Sequence, residues 1–184
     1  NFKFCELNTD GSSAMNEDNT LARILLESKA CKDFSDFYEL EYFELIDSWV
    51  EKSLEIYKTW NGKDKIDKPN IAILDFMESA TSVEFQLFKE SFERSGYRAI
   101  IADPVDLEFR DGKLYRGDYR IDMVYRRIVT FEAIERLDEI KDFIAAYKAG
   151  AFCSIGSFKS QLIHNKIIFK ILHDEDSLNL LTKE

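Results

Sequence analysis

Apolar positions change their period along this chain, and the changes divide it into elements. Residues 1–8 (Asn-Phe-Lys-Phe-Cys-Glu-Leu-Asn) alternate and are aromatic-rich, which predicts a strand. Thr9 to Asn19 is small and polar, as in a loop. Asp18 or Asn19 then offers a cap for a helix through Leu21, Ile24 and Leu25 towards Ala30. Phe43, Ile46, Val50, Leu54 and Tyr57 recur at three- and four-residue steps, which predicts a helix from Asp36 to Trp60, ended by a left-handed cap at Asn61-Gly62. The charged stretch Gly62 to Lys68, followed by Pro69, reads as a linker.

Beyond the linker, Ile71 to Phe76 is a short continuous apolar run, the pattern of a strand buried on both faces. Ser82 can cap a helix carrying Phe85, Phe88 and Phe92 on one face and ending at Gly96. Arg98 to Ala102 predicts a second buried strand. Asp111-Gly112 between two alternating runs predicts a hairpin. Ile121 to Tyr125 is a further strand, Thr130 to Tyr147 a helix closed by Gly150, Ala151 to Ile155 a strand, and Ser160 to His173 a last helix. Strands alternating with helices imply an α/β fold with a Rossmann-like, doubly wound, mainly parallel sheet over residues 69–173, with an inserted β-hairpin. Residues 1–62 form an N-terminal strand-plus-helices segment of different character, and 174–184 a tail.

Charge removes several classes. With 25 basic and 35 acidic residues the net charge is −10, which argues against a nucleic-acid backbone or an anionic membrane as partner. No apolar run approaches the ~20 residues of a membrane helix. Cys5, Cys31 and Cys153 are odd in number and far apart, as expected of reduced thiols in a cytoplasmic protein rather than a disulfide framework or zinc site.

The candidate chemistry is sparse. On a strand, Glu6 and Asn8 share a face and present two oxygen donors of the kind Mg²⁺ prefers; the alternative is the solvated end of an edge strand. The hydroxyl- and glycine-containing loop after them, Thr9 to Ser13, offers free N–H groups to an anion. Arg126 and Arg127 stand at the carboxyl end of a buried strand, where open α/β sheets bind ligands and where an arginine can grip a carboxylate; the alternative is a salt bridge within the protein. Gly156 to Ser160 opens a helix but lacks the spacing of a dinucleotide or P-loop motif. His164 and His173 are nine apart and cannot share a metal on one helical face.

Five segments in order, Phe4 to Gly11, Ile71 to Phe76, Ile101 to Pro104, Ile121 to Arg127 and His164 to Lys166, together resemble the circularly permuted ATP-grasp family, which includes glutathionylspermidine synthase-like proteins. The resemblance covers nearly the whole chain. It implies ATP-dependent ligation of a carboxylate to an amine through an acyl phosphate, with Mg²⁺. It further implies Glu6 and Asn8 as metal ligands, Ser12 or Ser13 against the acceptor peptide, and Arg126 on a substrate carboxylate. The partner is then a small peptide, amino acid or amine, and homo-oligomerisation stays open. The family chain continues into sheets that hold the nucleotide, so the expectation is a ligase fragment with a pre-ATP-grasp type α/β domain, inactive alone and holding neither ATP nor Mg²⁺ tightly. The alternative is a non-catalytic α/β binding or scaffold module.

Overall fold

A computed structural model describes residues 5–78 and 82–178. Four parallel strands form the central sheet: β1 (Asn70–Leu74), β2 (Arg98–Ala102), β6 (Met123–Arg126) and β7 (Cys153–Ile155), in the order β2-β1-β6-β7. A separate three-stranded antiparallel sheet holds β3 (Glu108–Arg110), β4 (Lys113–Arg116) and β5 (Tyr119–Ile121). The fold is thus α/β with a parallel sheet flanked by helices.

The β1 run is legible because it is apolar on both faces, and Ile71, Ala72, Ile73 and Leu74 are all fully buried. Alternate residues feed two cores. Ile71 and Ile73 pack with Phe85, Phe88 and Phe92 of α4 (Ser82–Arg94) and with Ile46, Val50 and Tyr57 of α3 (Leu45–Thr59). Ala72 and Leu74 pack with Phe143 and Ala146 of α6 (Lys141–Ala149) and with Leu114 and Ile121 of the small sheet. The linker candidate 62–68 lies between α3 and β1, but α3 shares its core with β1. The Ile66 carbonyl accepts from the Tyr57 hydroxyl at 2.9 Å, and Asp64 pairs with Lys113. At the hairpin turn Asp111 and Gly112 both have positive φ (51° and 72°), as a tight two-residue connection requires.

Several elements depart from the sequence reading. Of the expected strand 1–8, residues 1–4 lie outside the described residues, and Cys5 to Thr9 have no strand structure. The first helix, α1 (Met15–Glu27), starts ahead of its expected caps. Asn19 is instead a buried residue within it, accepting from Leu45 N at 3.0 Å and donating to Glu44 at 2.6 Å. The long helix from Asp36 contracts to α3, because Glu44 caps it by accepting from the N–H groups of Ile46 and Asp47. A separate short helix, α2 (Lys29–Ser35), precedes that cap. The left-handed cap at Asn61-Gly62 is replaced by an extended Trp60 (φ −66°, ψ 130°), whose indole packs on the core beside Tyr57.

The expected strand 121–125 is divided at Asp122. Ile121 ends β5, Met123 begins β6, and the Asp122 carboxylate accepts from Asn70 N at 3.0 Å. The helix over 130–147 is two helices, α5 (Thr130–Glu135) and α6, because the chain breaks around Ile140, which is buried in the second core. Ser82 opens α4, but its side chain lies outside the described residues. The last helix is interrupted at an extended Asn165, which separates α7 (Gln161–His164) from α8 (Ile167–Leu172) and accepts from Ile167 N at 2.9 Å.

Candidate functional site

The chain leaves β1 towards β2 on one side and β6 towards β7 on the other, so the sheet opens at the carboxyl ends of β1 and β6, where α/β folds place ligands. Arg126 closes β6 there. Its side chain is fully enclosed and its donors are nearly all committed. Nε donates to the Gly156 carbonyl, Nη1 to the Ile128 carbonyl and to Asp10 Oδ1, and Nη2 to the Ser157 carbonyl. The Phe158 ring lies 4.4 Å from the guanidinium carbon. In this conformation the carboxylate meeting Arg126 is therefore the protein's own Asp10.

Asp10 belongs to the loop that follows Glu6 and Asn8. Both its oxygens are satisfied: Oδ1 accepts from Arg126 and from Thr130 Oγ1 (2.7 Å), Oδ2 from Thr130 N (2.9 Å). Burial would raise its pKa, but the Thr130 bonds and the Arg126 charge together hold it below the usual carboxylate range. Thr130, expected as a helix cap, spends its hydroxyl on this contact, and α5 starts from Val129 without a side-chain cap. Gly11 follows with φ 63°, and a Cβ there would stand 2.6 Å from the Arg127 carbonyl oxygen. Only glycine lets the loop cross so close to the end of β6.

The C-terminal helices hold the same loop from the other side. Thr9 Oγ1 donates to the Ser160 carbonyl at 2.8 Å, Ser160 Oγ donates back to the Thr9 carbonyl, and Thr9 N reaches His164 Nδ1 at 3.4 Å. Lys166 pairs with Glu6 at 3.0 Å. That hydrogen bond and charge lower the Glu6 pKa, with a smaller contribution from the Asn8 side chain.

Between these elements lies a pocket of about 310 Å³, lined by Asn8, Thr9, Ser12, Trp49, Ser157 and Ser160 among others, with Tyr125 and Arg126 at its base. It is at the small end for ligand pockets. Ser12 Oγ donates to the Asn8 carbonyl at 2.6 Å, leaving its lone pairs free. Three of the residues singled out from the sequence, Asn8, Ser12 and Arg126, thus meet at one pocket. Ser13 stays exposed on the surface, and Glu6 is engaged with Lys166 rather than lining the pocket.

Glu6 and Asn8 offer two neighbouring oxygen donors, as many as Mg²⁺ often takes from a protein when phosphates and water supply the rest. The donor pair fits such an ion in part, with Lys166 competing for Glu6. Among the described residues no three His, Cys, Asp or Glu side chains converge on a metal-sized site.

Beside the pocket, Arg127 forms a second enclosed ion pair with Glu84 of α4 at 2.6 Å and also donates to the Tyr125 hydroxyl at 3.2 Å. Burial pushes the Tyr125 phenol up to about 12, against the opposing Arg127 charge. At the end of β1, burial lifts Asp75 to about 6, although Phe76 N donates to it. Trp49 was not found from the sequence, whereas Ser157 and Ser160 fall in the segment Gly156 to Ser160 that opens a helix. Trp49 reads as one more apolar residue of a helix face, and the serine segment lacks the glycine spacing that would have marked it. The chain matches no family model and no curated protein. No helix among the described residues is long and apolar enough to cross a membrane.

Proposed function

We propose that this chain is the substrate-side part of an ATP-dependent carboxylate–amine ligase of the circularly permuted ATP-grasp kind, with a pre-ATP-grasp type α/β domain. Its pocket beside β6 takes a small peptide, amino acid or amine. One observation supports this reading: three of the five segments that carry the resemblance meet in space. Asp10 touches Arg126 across 116 residues, Thr9 touches His164 across 155, and Glu6 touches Lys166.

In this reading the Asn8 amide donates to a ligand carbonyl or carboxylate, the Ser12 lone pairs accept from an ammonium or amide, and the Trp49 ring carries the apolar body. Arg126 acts through Asp10, fixing the loop that bears these groups. Mg²⁺ bound at Glu6 and Asn8 would neutralise phosphate charge, and the residues that hold adenine and triphosphate would come from outside this chain. A second reading, a non-catalytic binding module, is favoured by the enclosure of Arg126 and by the Glu6–Lys166 pair, which satisfy the key charges internally.

Titration of the ¹⁵N-labelled chain by NMR separates the two. Short peptides with a free carboxylate should shift Asn8, Ser12 and the Trp49 indole, while Mg-ATP alone should show no micromolar binding. If none of a panel of peptides, amino acids and amines moves these resonances, the ligase reading is wrong. Micromolar Mg-ATP binding would likewise overturn it, since it requires a complete nucleotide site.

A further inference from the structure

The surface most at odds with an isolated domain lies between α2 and α3, and its groove meets this pocket at Trp49. Residues 33–44 (Asp-Phe-Ser-Asp-Phe-Tyr-Glu-Leu-Glu-Tyr-Phe-Glu) interleave five aromatic with five acidic residues, and no Lys or Arg occurs from 33 to 51. The aromatic side chains do not turn inward. Phe37 is 82% and Phe43 73% exposed, and Phe34, Tyr38 and Tyr42 are also exposed. Leaving such side chains in water forfeits the free energy of their burial, and clustered exposure of this kind marks an interaction surface. Stacking of Phe34 on Tyr38, with centroids 4.4 Å apart, holds part of the cluster in place. Residues 39–43 make no backbone–backbone hydrogen bond among the described residues, which leaves their N–H and C=O groups available to a partner.

Beside Phe43 runs an apolar groove of about 410 Å³, lined by Met15, Phe43, Leu45, Ser48, Trp49 and Lys52. It is wide enough for one or two apolar side chains. On the same segment as Phe43, the carboxylates of Asp36, Glu39 and Glu41 stand exposed without a cationic partner among the described residues.

We propose that segment 33–44 and this groove are a docking surface for a basic amphipathic segment of a partner protein. An apolar side chain of the partner enters the groove, and its Lys or Arg groups meet Asp36, Glu39 and Glu41. Charge decides between occupants. A second copy would bring another net −10 and the same acidic segment against itself, and like charges facing each other oppose association. A basic partner gains from the same field, and its apolar face covers the aromatic side chains.

The test uses a synthetic amphipathic helix of about 18 residues made of Leu and Lys, titrated into the chain by NMR at roughly physiological salt. Shifts should centre on residues 33–45 and Lys52. Phe37→Ser with Phe43→Ser, which keeps every charge, should weaken binding by about tenfold or more. Glu39→Gln with Glu41→Gln should weaken it and flatten its salt dependence. Both positions of the serine variant are exposed, so its melting temperature should match the parent's, and a melt checks this. Absence of binding, or binding unchanged by the serine substitutions, would overturn the proposal, the latter by showing charge attraction alone. Light scattering that finds a dimer dissolved by Phe37→Ser would overturn it in favour of a second copy.

Discussion

The carboxylate of Asp10 and the guanidinium of Arg126, 116 residues apart in sequence, meet at 2.9 Å with both side chains enclosed. A buried ion pair contributes little net stability over an apolar replacement, but removing one member leaves a charge stranded. Here the remaining lone pairs and N–H groups are met by Thr130 and by the carbonyls of Gly156, Ser157 and Ile128. The pair therefore ties the Glu6–Gly11 loop, β6 and the chain after β7 into one unit.

Arg126→Ala should cost about 3–5 kcal/mol, a fall in melting temperature of roughly 10 °C for a chain of this size. Arg126→Lys should recover only part of it, because an ammonium cannot reproduce the planar fork. Thermal melts followed by circular dichroism check this. An unchanged melting temperature would return Arg126 to a purely ligand-binding role.

Acid should release the same clamp. The pKa of Asp10 is held below its ordinary 3.8, so its stabilising effect is complete above about pH 4 and is lost as pH falls through the folded value. Urea denaturation across roughly pH 2 to 5 should show a smaller acid loss in Asp10→Asn than in the parent. Parallel curves for the two proteins would contradict this.

Asp75 has the opposite sign. Its pKa rises from 3.8 unfolded to about 6 in the fold, so the folded chain holds the proton more tightly and stability falls as pH rises from about 4 to 6. Asp75→Asn should remove that decline and leave the protein more stable at pH 7, by at most about 3 kcal/mol. Chemical denaturation at pH 4.5 and 7, or carboxyl NMR of Asp75, reads it directly. An Asp75 that titrates near 4 would refute it.

Gly11→Ala should destabilise the protein by about 1–3 kcal/mol, because both its positive φ and the Arg127 carbonyl at 2.6 Å from the added Cβ oppose the methyl group. The loop should lift from β6, and shifts in the amide spectrum should centre on residues 8–12 and Thr130.

Glu6→Gln removes an exposed pair with Lys166, so melting should not change measurably. Its effect should appear with added Mg²⁺. Any chemical-shift response at residues 6–8 of the parent should vanish in the variant, and persistence of that response would place the ion elsewhere.

Local pattern was enough wherever the deciding contacts are periodic or near in sequence. Ile71 to Leu74 had to lie within a two-faced core because each residue is apolar. Phe85, Phe88 and Phe92 had to share one face of a helix, and Asp111-Gly112 had to reverse the chain, because spacing and backbone freedom decide these matters within a few residues. The same locality made Glu6, Asn8, Ser12 and Arg126 candidates without showing what they meet. That Arg126 faces Asp10, that Lys166 faces Glu6, and that Thr130 serves Asp10 rather than its own helix depends on contacts 116 to 160 residues apart, which leave no trace in hydrophobic period. Tertiary packing also overrode pattern at Asn19, at Glu44 and around Ile140. A buried amide holds Asn19 inside the helix it was expected to cap, while a side-chain cap at Glu44 and a core contact at Ile140 outweighed helix propensity, since differences of a few tenths of a kcal/mol per residue yield to the burial of one side chain.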